Sequence, residues 1–265
     1  MSWTINKTTK QSAKNPILIE GLPGVGNVGK IAVEYLIDAL KAKKLYEMRS
    51  NEMPHYVFVN EKNLIELPSI EIYSAKIKGR NILLLSGDVQ PTTENSCHSF
   101  CNTLIEAFEK TKGKEIITLG GIALQEVPDD PNIYFTANNE SMLKKYAHSK
   151  KTKKQLHEFI GPIVGVTGLL PGLAGRKKIP AITMLVETFE NPGYIGLNEA
   201  RKVVKHLNKK LNLNLNNKKI DKELEAEVIL PNSSRVKAKK TNKKQEIKSK
   251  PEQIEKIPSY LRHIG

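Results

Sequence analysis

Two cysteines in 265 residues are too few for a disulfide framework, the usual reinforcement of small secreted domains. Long apolar runs are missing as well. Stretches such as Ile82 to Leu85 have strand length, well short of the roughly 18 residues of a membrane-spanning helix. The opening stretch, Met1 to Lys14, lacks the apolar core of a secretory signal. A cytoplasmic protein with no membrane contact is therefore expected. Recognisable catalytic signatures are also absent: there is no G-x-S-x-G nucleophile elbow, no H-E-x-x-H, and no Cys/His spacing that supplies four zinc ligands. Acidic residues are scarce, with 28 Asp+Glu against 42 Lys+Arg and a formal charge of +14. What is present is ordinary for a globular chain, 39% hydrophobic and 26% charged, and long enough for one ample domain plus a tail.

The positive charge is concentrated. From Pro231 to Lys250 there are eight Lys/Arg and one acid, with Val236, Ala238 and Ile247 as the apolar residues. So little apolar surface cannot offset the entropy of ordering, so the segment reads as a disordered basic linker, taken to span 216–250. A nucleic-acid contact through it is the weaker alternative, because no aromatic side chain is interleaved to stack on bases. Beyond the linker, residues 251–265 form an apolar tip in which Ile254, Ile257, Tyr260, Leu261 and Ile264 fall at helix-like spacing despite Pro258. Such a tip either docks on a partner or folds back onto the domain.

Residues 1–15 read as a flexible N-terminus and 16–215 as one domain that alternates strand-like and helical patterns. That alternation predicts an α/β fold with three layers, a mostly parallel sheet flanked by helices. Strands are expected at Ile17–Glu20, Tyr56–Val59, Ile70–Ile77, Ile82–Ser86, Ile116–Leu119, Ile133–Thr136, Ile163–Thr167 and Ala181–Glu187. Helices are expected at Asn27–Lys41, Thr93–Lys112, Ser141–Ala147, Thr152–Phe159 and Leu197–Leu211.

The strongest local signal follows the first expected strand. Gly24, Gly26 and Gly29 spell G-x-G-x-x-G in a strand-to-helix turn, and Val28, Ile31, Ala32, Tyr35, Leu36 and Leu40 then form one apolar helix face. A dinucleotide site would also need an acid roughly 20 residues on to hold the ribose, and the nearest strand-end acid is the more distant Glu61. A P-loop would need Ser or Thr after Lys30, where Ile31 stands. Two readings stay open for Gly24, Gly26, Asn27 and Gly29: tight packing, or an anion or small-ligand site at a helix N-terminus.

Other strand ends repeat the habit in Ser86-Gly87-Asp88-Val89-Gln90-Pro91 and in Gly120-Gly121. Ligands of open parallel sheets settle at the carboxyl ends of strands, so Asp88, Gln90, Gly120 and Glu187 are the positions a pocket would recruit. Cys97 and Cys101, four apart on a helical pattern, read as buried small apolar residues, with His98 pointing elsewhere. His55, His148, His157 and His206 lie in separate segments and suggest no acid–base pair. The stretch Gly161 to Gly175 reads as strand, turn and short helix, with small residues that permit close packing in the core or between subunits.

Three motifs together resemble a known family, the archaeal relatives of the eukaryotic proteasome assembly chaperones. They are Glu20-Gly21-Leu22-Pro23-Gly24-Val25-Gly26-Asn27-Val28-Gly29, Ser86-Gly87-Asp88-Val89-Gln90-Pro91 and Val164-Gly165-Val166-Thr167-Gly168-Leu169-Leu170-Pro171. The resemblance implies a nucleoside-phosphorylase-like topology without an established catalytic activity, and no cofactor is expected. It further implies a homo-oligomer that binds proteasome α-subunits and aids their assembly, alone or with a related chaperone. In that family a C-terminal hydrophobic-Tyr-any tail can enter pockets between α-subunits. Here the chain ends His263-Ile264-Gly265, with Ile264 where tyrosine is expected and Tyr260 the nearest tyrosine. The tail residues Ile257, Tyr260, Leu261, Ile264 and Gly265 are accordingly expected to act as a tether to the partner. A nucleotide- or phosphometabolite-binding enzyme or sensor using the glycine turn is the alternative function.

Overall fold

The computed structural model describes residues 3–9, 11–147 and 161–226. A mixed eight-stranded sheet has the order β1-β3-β6-β7-β2-β8-β10-β9. Its centre is parallel: β7 (Arg80–Gly87), β2 (Ile17–Glu20), β8 (Glu115–Leu124) and β10 (Ala181–Phe189) run in one direction. These strands are near-continuous Ile, Leu and Val, as strands covered on both faces must be. Antiparallel strands extend both sides, with β6 (Ile70–Ile77), β3 (Lys43–Ser50) and β1 (Trp3–Lys7) on one and β9 (Ile133–Ala137) on the other. The α/β layered fold is therefore the one expected, with antiparallel additions.

Helices cover the two faces. On one, α1 (Val28–Ala39), α3 (Glu140–Tyr146), α5 (Leu197–Leu211) and α6 (Asn217–Ala226) pack with Ile17, Ile19, Ile117 and Met184. On the other, α2 (Glu94–Lys110) and α4 (Val166–Arg176) pack with Leu18, Leu83, Leu85 and Ile116. Alternate residues of one strand thus serve opposite layers, the consequence of the period-two pleat. Local signals set the helix starts: Thr93 caps α2 by accepting from Ser96 N–H, and Asn139 caps α3 by accepting from Met142 N–H.

Several expectations are corrected. The N-terminus carries β1, whose Trp3 is buried, packs edge-on against Phe100 and donates its indole N–H to Ser96 Oγ at 2.9 Å. Strand β3 was not anticipated, because Lys43, Lys44, Glu47 and Arg49 crowd a segment whose buried residues are Leu45 and Met48. A register shift between Lys44 and Tyr46 also breaks its alternation. The expected strand Tyr56–Val59 shrinks to β4 (Phe58–Val59), paired with β5 (Ile65–Glu66) in a separate hairpin. The residues from 216 do not all form a linker: Ile220 and Leu224 of α6 are buried against α5. The expected helix Thr152–Phe159 and the tail lie outside the described residues.

The expected strand Ile163–Thr167 is instead the entry to α4. Pro171 stands inside this helix and has no N–H for the Thr167 carbonyl four residues back. The sheet supplies the missing donors: Thr118 Oγ1 donates to Thr167 O at 2.8 Å and Thr183 Oγ1 at 3.3 Å. Both threonines are buried, so a proline that would weaken a free helix here ties one to the sheet.

Candidate functional site

The three glycine-bearing motifs meet at the carboxyl edge of the parallel strands. The first forms a 3-10 turn, Val25–Asn27, between β2 and α1. Gly26 there has φ +62°, and Asn27 follows in the left-handed region at φ 51°. A side chain at Gly26 would strike the Thr188 hydroxyl, and one at Gly29 would strike the Leu119 carbonyl. One at Gly21 would strike the Gly29 carbonyl. These glycines are required by close approach of β2, α1, β8 and β10, whereas Gly24 faces open space.

Polar groups of the motifs bond to one another. Gln90 Nε2 donates to Pro23 O at 2.9 Å, and the same side chain fills the space beside Gly165, whose φ of +83° favours glycine. Lys30 Nζ donates to Gly87 O at 3.0 Å and stands 3.5 Å from Asp88 Oδ1 and 3.6 Å from Glu34 Oε1. These side chains are partly exposed, so each ion pair contributes at most about 1 kcal/mol. Asp88 Oδ2 also accepts from the N–H and hydroxyl of Ser69.

Glu20, which no motif had singled out for a role, is fully buried beneath this edge. Its Oε1 accepts the Leu22 N–H at 2.9 Å and its Oε2 lies 3.5 Å from Thr167 Oγ1. Burial pushes the carboxyl from 4.5 up to about 8 against the opposing hydrogen bond from Leu22, so it is mainly protonated at neutral pH. The legible signal was an acid ending an otherwise apolar strand. Glu20 joins the first motif to the third through Thr167, just as Gln90 joins the second to both.

The other expected positions are occupied in similar ways. Glu187 accepts from Asn132 at Oε2 and from the Tyr134 hydroxyl, 2.7 Å away, at Oε1, which holds β9 to β10. Gly120 faces Leu185 and Thr167. Cys97 and Cys101 are buried free thiols, His98 is exposed, and His206 packs against the Phe135 ring. His148, His157 and the tail residues Ile257, Tyr260, Leu261, Ile264 and Gly265 lie outside the described residues. Among the described residues there is no cluster of three or more His, Cys, Asp or Glu able to hold a metal ion, and no helix long and apolar enough to cross a membrane.

The edge is thus a set of loops clamped by one another. Its partly exposed Lys30 is shared by two acids, Glu34 and Asp88, which leaves the trio net negative and poorly prepared for an anion, and Gly26 and Gly29 leave no cradle that neighbouring protein atoms do not fill. The packing reading of the turn accounts for this geometry.

The sequence pattern of the PAC2 family matches residues 18–228, a span that includes all three motifs and nearly the whole sheet. The chain belongs to the PAC2 family. This PAC2 protein is 26% identical over 215 residues to an uncharacterized protein of Methanocaldococcus jannaschii, MJ1210, covering 79% of each chain. Its fold is similar to that of Pyrococcus furiosus PbaB, described as an archaeal proteasome activator, with a TM-score of 0.74, 26% identity, and coverage of 85% of this chain and 95% of that one. Pyrococcus furiosus PbaA, an archaeal homolog of proteasome-assembly chaperone, has the same fold, with a TM-score of 0.67, 24% identity, and coverage of 84% and 92%. The family resemblance carried by the motifs is met by these matches.

Proposed function

We propose that this PAC2 protein is a proteasome assembly chaperone or activator that works by binding rather than by chemistry. It associates with itself and engages proteasome α-subunits, with the C-terminal tail as a tether. The observation that carries the reading is the likeness to PbaB, which extends over nearly all of the PbaB chain. The clamped edge supports a binding role, because its charged groups pair with one another and are not directed at one reacting position. For the tail, tethering raises the local concentration of a weakly binding apolar tip near its target without any new contact.

Native mass measurement of the full chain mixed with free α-subunits from the same organism tests the proposal. A complex of defined stoichiometry is expected, and removal of residues 254–265 is expected to weaken it. Absence of any complex at micromolar concentrations would overturn the reading. Capture that is indifferent to the truncation would remove the tether alone.

A further inference from the structure

The edge of the sheet where the parallel strands begin, opposite the three motifs, has a composition of its own. Lys14 precedes β2, Lys41 precedes β3, Lys78 turns β6 into β7, Lys112 and Lys114 precede β8, and Lys177 and Lys178 precede β10. All seven are exposed, and the segments that hold them, 14–16, 40–42, 78–79, 111–114 and 177–180, contain no acid. None of the seven ammonium groups has an ion-pair or hydrogen-bond partner among the described residues. The exposed acids nearest in sequence, Asp38 and Glu109, pair with neither Lys41 nor Lys112. The carboxyl edge is the reverse: the loops after β7, β8 and β10 carry Asp88, Glu126, Asp129, Asp130 and Glu190 and no base. Charge is thus separated along the strands, which turns the basic edge toward any polyanion that approaches.

The backbone makes these lysines unusual. Among the described residues nine residues other than glycine have positive φ; five are asparagines, and the other four are Lys41, Lys78, Lys112 and Lys178, at φ 51°, 47°, 55° and 59°. Asparagine is favoured in this region and lysine is not, so four of the seven charges stand where a neutral residue would fit the turn better. Helix dipoles account for part of the pattern, since Lys41, Lys112, Lys177 and Lys178 follow the carboxyl ends of α1, α2 and α4. They do not account for Lys78, in the turn of a hairpin, or for Lys14, ahead of a strand.

We propose that this basic edge binds the phosphate backbone of duplex nucleic acid without reading its sequence. The segments open onto the consecutive strands β3, β6, β7, β2, β8 and β10. Five intervals of about 4.8 Å make a row on the order of 24 Å long, alongside about seven phosphates of one duplex strand at 3.4 Å of axis each. A protein partner would want apolar anchors, and none of the large apolar side chains exposed among the described residues lies in these segments. A single strand would want aromatic side chains to stack on, and the segments have none. They contain no helix or strand to enter a groove, so base edges go unread. The site is separate from the basic stretch 231–250 and goes beyond the proposed function.

The test is fluorescence anisotropy of a labelled DNA duplex of arbitrary sequence, titrated with the full chain over a salt series. The edge variant combines Lys41→Asn, Lys78→Asn, Lys112→Asn and Lys178→Asn, replacements that suit the left-handed turns; Asn212 already ends α5 in that conformation. Its thermal midpoint is expected to equal or exceed that of the wild type. Its DNA affinity is expected to fall at least about 10-fold at low salt, and its slope of log K against log salt to flatten by about 3 to 4. A second full-length variant, with the lysines of 231–250 changed to glutamine, is expected to keep binding that the four asparagines then remove. A wild type that binds no duplex at tens of micromolar protein in low salt would overturn the proposal. So would a folded edge variant with the wild-type affinity and slope, or binding abolished by the 231–250 variant alone. If polyglutamate displaces the duplex charge for charge, the edge serves an acidic polypeptide and the proposal falls.

Discussion

Replacing Glu20 with glutamine keeps the shape of the buried side chain and removes its titration. In the folded chain burial carries the carboxyl from 4.5 to about 8, and in the unfolded chain it titrates near its ordinary value. Between those limits the folded state holds a proton that the unfolded state has released. The sign follows: this group's contribution is fully present below about pH 4.5 and is lost progressively as pH rises toward about 8. At 1.36 kcal/mol per decade of affinity the whole excursion is worth roughly 5 kcal/mol, an upper figure that relaxation of the site reduces to a few. The amide oxygen of the glutamine can still accept the Leu22 N–H, so the two proteins should have similar stability near pH 5, with the Glu20→Gln variant gaining steadily as pH approaches about 8.5. The single tryptophan, buried Trp3, gives a fluorescence readout for guanidinium unfolding across this range. Subtracting one stability curve from the other cancels the histidines common to both. Curves that remain parallel within about 1 kcal/mol from pH 5 to pH 8.5 would refute the argument that Glu20 is held neutral.

Gly29→Ala places a methyl group on the Leu119 carbonyl, where backbone must move, and should lower unfolding free energy by about 2 kcal/mol or more in the same assay. Thr188→Val should be neutral or stabilising by up to about 1 kcal/mol, because the Thr188 hydroxyl is buried without a hydrogen-bond partner among the described residues. A thermal midpoint several degrees below the wild type would count against it. Ending the chain after Leu215 removes α6 with its buried Ile220 and Leu224, and denaturant titration should show a loss of roughly 3–5 kcal/mol. No loss would mean that the folded domain ends before α6.

The central strands and α1, α2 and α5 were legible because their apolar residues recur at the spacings that a two-sided sheet and an amphipathic helix require. β1 was hidden because one tryptophan does most of the burial in an otherwise polar segment, and β3 because its charged residues alternate around a bulge. In Ile163–Thr167 the β-branched residues argued for a strand ahead of a short helix, whereas the helix itself begins at Val166. The hydroxyls of Thr118 and Thr183 hold its first turn from strands 49 and 16 residues away in sequence from Thr167. At the edge, the glycine positions were readable but their reason was not. Which carbonyl lies against Gly29, and which side chain fills the space at Gly165, depend on strand order. Glu20 was visible as a residue yet its protonation depends on burial that only the assembled layers create.

The interlocked turn separates what this scaffold keeps from what it can change. Gln90 is committed to Pro23 and Gly165, and Glu20 to Leu22 and Thr167, so an exchange at any of them disturbs the junction of three loops. The hairpin hangs from this junction through Ser69 and Asp88. The glycine signature is therefore a property of the frame, because Gly21, Gly26 and Gly29 each have a backbone or side-chain oxygen lying against them.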